Sequence, residues 1–220
     1  MKSDLATKVS LSPNHSGKRV YDVTRITPHV VVGEFDAVTV ASWFNKPDRK
    51  ASANYIIGKS GEILLNVDEE NRAWTSGSFD NDNRAITIEC ASDQNNHNAL
   101  NEKVYTSLKN LMVDICKRYN KKRVVYKATP NYNPTADEML ITKHAFFQNV
   151  LCWDKWLDEH INELVFDVNK ALSEKPNVLY KVQVGAFSVR SNAETLRDTL
   201  RNNGYSDAFI VTERINNENC

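Results

Sequence analysis

Apolar residues fall along this chain in two rhythms, one with a period of two and one with a period near 3.6. Residues 26–33, ITPHVVVG, are a run of β-branched side chains closed by a glycine, which predicts a short buried strand with His29 inside it. Asp36 to Phe44 (DAVTVASWF) has apolar residues at helical spacing behind an aspartate able to cap the first turn, and Pro47 marks the exit. Residues 53–58 (ANYIIG) and 62–67 (EILLNV) flank a KSG turn and predict a β-hairpin, with Gly61 supplying the unusual backbone angles. A second buried strand is predicted at 85–90, AITIEC. From Ala99 to Tyr119, Val104, Leu108, Leu111, Met112, Ile115, Cys116 and Tyr119 recur at three- and four-residue steps, so one face of this helix must be buried. KKRVVYKA then predicts a strand, NYNPTADEM an irregular loop, and Lys155 to about Leu172 a final amphipathic helix.

Strands and helices alternate, so the main domain, residues 1–172, is predicted to be α/β. Residues 173–178, charged and containing a proline, are the expected linker. In the remainder, 179–220, LYKVQVGAF alternates like a strand, SNAETLRDTLRNNG reads as a capped helix ended by Gly204, and DAFIV returns as a strand. One β-α-β unit of that size buries too little surface to be comfortably stable alone.

Composition places the 220-residue chain among ordinary globular proteins, with 41% hydrophobic and 25% charged residues. Lys plus Arg and Asp plus Glu both total 28, which gives no electrostatic case for nucleic acid or an anionic membrane as partner. No stretch approaches the roughly 18–20 apolar residues of a membrane span. The N-terminus, MKSDLATKVSLSPNHSGKRV, lacks the apolar centre of a secretory signal, so the expectation is a chain made in the cytoplasm. Cys90, Cys116, Cys152 and Cys220 show no CxxC spacing and do not resemble a disulfide framework. Cys90 and Cys116 are expected to be buried thiols, and His15, His97 and His160 ordinary surface residues.

A catalytic zinc site commonly has three protein ligands and one open position. His29, His144 and Cys152 could form one, although a chain with five histidines and four cysteines contains many such triples, and spacing alone does not select this one. An uncompensated imidazole is disfavoured in an apolar strand, which singles out His29. Glu89, flanked by Ile88 and Cys90, is aimed by strand alternation away from the apolar side chains.

Six ordered pieces, SPNHSGKR, RITPHVVVG, SANYIIGKSGEI, VDEENRAWTSG, NRAITIECASD and NPTADEMLITKH followed by Cys152, resemble the zinc amidase family that includes phage endolysins, bacterial autolysins and the peptidoglycan recognition proteins. The resemblance covers roughly residues 10–172. It implies a central mixed β-sheet flanked by helices, a groove along one side, and a Zn2+ ion held by His29, His144 and Cys152. It implies peptidoglycan as substrate and hydrolysis of the amide between the N-acetylmuramoyl lactyl group and L-Ala, with Glu89 moving the proton between water and the departing amine. Asn54, Tyr55, Trp74 and Thr75 match positions that line the groove. Two residues depart from the pattern: the lysine usual two places before the cysteine is Val150, for which Lys143 or Lys155 could substitute in space, and a usual histidine is Thr75. A non-catalytic peptidoglycan-recognition protein using the same groove is the alternative. The C-terminal segment resembles half of a SPOR domain, a module that binds glycan strands; a homodimer would supply the other half. The absent signal also fits holin-dependent release, if a phage encodes the chain.

Overall fold

A computed structural model describes residues 2–150, 152, 153, 155–174 and 182–213. The chain divides into two compact units, Met1–Glu174 and Lys175–Cys220. In chain order the first unit contains β1 (Lys8–Val9), β2 (His15–Lys18), β3 (Arg25–Val32), α1 (Ala37–Phe44), β4 (Tyr55–Ile57), β5 (Ile63–Leu65) and β6 (Asn71–Ala73). There follow α2 (Phe79–Arg84), β7 (Ala85–Ser92), α3 (Glu102–Arg118), β8 (Arg123–Tyr126), β9 (Glu138–Ile141) and α4 (Lys155–Ser173). Short 3₁₀ turns lie at Pro47–Arg49 and His144–Phe146.

Among the described residues, seven strands form one mixed sheet in the order β1, β5, β4, β7, β3, β9, β8, and β2 pairs with β6 in a smaller antiparallel sheet. Within the large sheet only the β4–β5 hairpin is antiparallel. Its turn carries Gly61 at φ 83°, in the left-handed region that glycine tolerates. Strand alternation then sorts the two faces. Ile26, Tyr55, Ile57, Ile86, Ile88 and Cys90 point to one side, where Leu108, Leu111, Met112 and Ile115 of α3 and Leu157, Ile161, Leu164 and Val168 of α4 cover them. Each such fully buried side chain contributes roughly 1.5–3 kcal/mol. On the other side Ile56 and Leu64 pack beneath Val40, Ala41 and Phe44 of α1.

The expected aspartate cap of α1 is replaced by a more distant group. Asp36 makes no side-chain cap, and the free N–H of Ala37 donates to Glu62 Oε1 at 2.8 Å. Gly58 leaves the room for this contact, since a Cβ there would lie 1.9 Å from the same oxygen.

Pro28 sits inside a central strand, where a missing N–H normally breaks a ladder. Its carbonyl faces the side on which Ile26 O accepts from Thr142 N, and β9 pairs with β3 only at Arg25 and Ile26. The proline therefore opens a gap in the sheet. The loop after β9 enters that gap: Trp153 Nε1 donates to Pro28 O at 2.6 Å, and the indole is only 2% exposed. Trp153 adopts φ 70°, a backbone cost of about 1–3 kcal/mol that the buried ring offsets.

In the second unit the expected helix is α5 (Arg190–Asn202). Residues 182–187 and 208–213 form no strand, and Val182, Val184, Phe187, Phe209 and Val211 are exposed. Alternation alone does not make a strand, because backbone groups need a partner ladder. The expected linker and the start of LYKVQVGAF fall mainly at 175–181, outside the described residues. Among the described residues no helix is long and apolar enough to cross a membrane.

Candidate metal centre

His29 projects from the middle of β3, and Glu89 projects from β7 in direct register with it. Neighbouring strands lie about 4.8 Å apart with in-register side chains on one face, so the sheet itself sets imidazole beside carboxylate. The loop that fills the Pro28 gap supplies the other two groups, His144 at the start of its 3₁₀ turn and Cys152 just before the Trp153 anchor. The potential ligand atoms of His29, His144 and Cys152 all lie within 4.8 Å of one another. Cys152 Sγ is 3.3 Å from His29 Nδ1, and the two imidazoles meet edge to face with centroids 4.9 Å apart.

Desolvation dominates the electrostatics of the site, although Glu89, His144 and Cys152 each keep some contact with solvent. Burial holds the His29 imidazole well below the usual histidine range, and His144 pushes the same way. Burial raises the Glu89 carboxyl to about 7, with Arg49 drawing it back down. Burial, then the Glu89 charge, pushes the Cys152 thiol up to about 12, against backbone hydrogen bonds from Val30 and Trp153. A cation placed among these groups would reverse the penalty on both acids.

Two imidazoles and one thiol are a donor set suited to zinc. Zn–N and Zn–S bonds of about 2.0–2.1 and 2.3 Å put tetrahedral ligands about 3.5 Å apart, close to the 3.3 Å between Cys152 Sγ and His29 Nδ1. His29 is also poorly satisfied otherwise: its buried Nε2 has no partner among the described residues. A metal held at Nδ1 leaves this nitrogen unpaired, a cost to stability that the site carries. His144 Nε2 meets Gln148 Oε1 at 3.0 Å, which as an N–H donor leaves Nδ1 with the free lone pair. Gln148 is thus a site residue that sequence spacing did not indicate; it packs against Gly77, where a Cβ would lie 2.0 Å from its side chain.

The four expected groove residues are placed in two different ways. Trp74 is half-buried, with Nε1 donating to Ser16 Oγ, and the Thr75 hydroxyl donates to Ser52 O and lies 2.8 Å from Thr87 Oγ1. Asn54 and Tyr55 are fully buried and line no surface. Asn54 Nδ2 donates to carbonyls of Val67, Asp68 and Asn71, tying that loop to the sheet. Alternation turns Tyr55 to the helix-covered face, where its hydroxyl donates to the buried Glu69 that also holds Arg118 through two 2.6 Å bonds.

Both lysines offered for the place of Val150 form ion pairs. Lys143 pairs with Asp158 at 2.6 Å and Lys155 with Glu159 at 3.6 Å. Arg49, on the 3₁₀ turn after α1, is the cation whose field acts on Glu89. Of the other thiols, Cys90 and Cys116 are buried as expected. His15 and His160 are half-buried and His97 is exposed.

Residues 19–153 match the N-acetylmuramoyl-L-alanine amidase family, and residues 176–219 match the SPOR domain. No curated protein matches the chain. Among solved structures, a mutant endolysin from Bacillus subtilis aligns at 15% identity over 73% of this chain and 97% of its own, with a TM-score of 0.55. The PlyG catalytic domain aligns at 14% identity over 78% and 98%, and the XlyA catalytic domain at 14% over 73% and 97%, both with a TM-score of 0.53. Identities this low establish a shared fold.

Proposed function

Because the chain belongs to the N-acetylmuramoyl-L-alanine amidase family, we propose that it cleaves the lactyl–L-Ala amide of peptidoglycan as a zinc enzyme, with His29, His144 and Cys152 holding the metal and Glu89 carrying the proton. The observation behind this reading is the meeting of three donors within 4.8 Å beside a carboxylate in register with one of them.

Zinc, when bound, supplies a Lewis acid for the amide carbonyl and makes water nucleophilic near neutral pH. The protein's own groups do the rest. Burial raises the Glu89 carboxyl and a metal beside it draws it back down, opposing pulls that leave the group able to exchange a proton. Glu89 takes a proton from the attacking water and returns it to the L-Ala nitrogen as the C–N bond breaks, so the amine leaves neutral. Gln148 orients the His144 ring, the role outer hydrogen-bond partners commonly play for ligating histidines. Arg49 adds positive potential at Glu89, favouring its charged, proton-accepting form. Trp74 and Thr75 line the groove, while Asn54 and Tyr55 support it from below. The SPOR unit retains the enzyme on glycan strands.

Metal analysis tests the reading. Protein purified without added metal is expected to carry about one zinc per chain. Prolonged chelation should remove both metal and activity, and zinc should restore them. Metal-free protein with full turnover would overturn the assignment.

A further inference from the structure

On the same sheet face as His29, four residues earlier on β3, Arg25 forms part of the wall of a second cleft of about 460 Å³. Thr24, Ser78, Asp80, Arg84, Pro130–Pro134 and Phe147 complete the lining. At about 3.3 Å per residue the two positions are roughly 13 Å apart along the strand. Phe147 belongs to the loop that begins at His144, so one loop contributes to both the cleft and the metal centre.

Arg25 is unusual for a buried arginine. It is 9% exposed, yet its contacts are all long: 3.3 Å to Asn81 Oδ1, 3.4 Å to Pro130 O and 3.3 Å to Asp80 Oδ2. Its Nε has no hydrogen-bond partner among the described residues. A buried guanidinium normally finds close, bidentate acceptors. Asp80 does not fill that role, because it is about half exposed and also bonds Arg84 Nε at 3.0 Å. Two guanidinium groups therefore face one shared carboxylate, and the cleft holds an excess positive charge between aromatic walls from Tyr132 and Phe147.

We infer that this cleft is a subsite for a free carboxylate of the stem peptide beyond L-Ala, with Arg25 as its principal ligand. The inference rests on the amidase reading above. An extended peptide advances about 3.3–3.6 Å per residue, so a chain whose first amide lies at the metal centre reaches Arg25 in about four residues. A neutral glycan would leave the excess charge of the cleft unanswered, whereas a carboxylate would give the Nη groups of Arg25, whose present contacts are 3.3–3.4 Å long, a close acceptor.

The test uses the full chain and one synthetic muropeptide in two forms, its stem carboxylates either free or converted to carboxamides. The expected result is a KM about tenfold or more lower for the free acid, with kcat within twofold. Arg25→Gln should bring the two KM values within about twofold by weakening binding of the acid form alone, with zinc content unchanged. If that variant does not fold, Arg84→Gln, at the rim of the cleft, should cut the preference threefold or more. Equal KM values for wild type, or a preference surviving both substitutions, would overturn the subsite while leaving the amidase reading intact. Cleavage of neither form would contradict the amidase reading itself.

Discussion

Glu89→Gln should lower kcat on peptidoglycan by about 10²–10⁴-fold, the range for a positioned general acid–base group, with zinc content unchanged. The amide has the shape of the carboxylate but exchanges no proton. Burial penalises the Glu89 charge in the absence of metal, so a neutral isostere should leave the thermal midpoint of the chelated protein the same or slightly higher. Stopped assays of released amine, with metal analysis and a thermal melt of the same sample after chelation, check all three expectations. A kcat within tenfold of wild type would remove Glu89 from the proton path. Loss of zinc alongside activity would instead make it part of the metal's support.

Cys152→Ser acts on a different quantity. A hydroxyl is a far poorer zinc donor than a thiolate, so bound zinc should fall from about one per chain to below about 0.1, with activity falling about a thousandfold or more. The fold should persist, because the loop is anchored next door by the Trp153 bond to Pro28 and by the buried indole. Elemental analysis and circular dichroism separate the two effects. Retained zinc with retained activity would exclude Cys152 as a ligand, while loss of the fold would give the residue a structural role.

Much of the fold was legible because the elements that build it have a strong hydrophobic period. α3 and α4 each bury one face of a helical pattern, β3, β7 and the β4–β5 hairpin are near-continuous buried runs, and each lies close to its predicted span. Elements stabilised by polar contacts left no such trace. α2 reads FDNDNR and is held by the Ser78 cap and by its buried Asn81, Asp82 and Asn83. Its Asn81 joins Thr27 and Thr142 in a hydrogen-bonded layer under the sheet face. β9 went unread, its first two residues falling at the end of the predicted loop NYNPTADEM, because it is short and opens with Glu138. That carboxylate is held at about 2 first by the Thr135 backbone N–H and then by Tyr132, with Arg123 contributing.

The site was legible as residue types and not as geometry. His29 and Cys152 are 123 residues apart, and they meet only because Pro28 interrupts the sheet and a loop enters the gap. Tyr55 illustrates the converse: its neighbours in sequence belong to the groove side, but a period of two sends its ring to the opposite face. Gln148 and Arg25 gave no signal, since what distinguishes them is a partner in space and the lack of one.

The most direct measurement of the central claim is digestion of purified peptidoglycan by the full chain, with and without a chelator, followed by mass spectrometry of the released ends. The account predicts free stem peptides beginning at L-Ala, and none when metal is removed. Wall binding that releases no such peptides from the metal-loaded protein would contradict it.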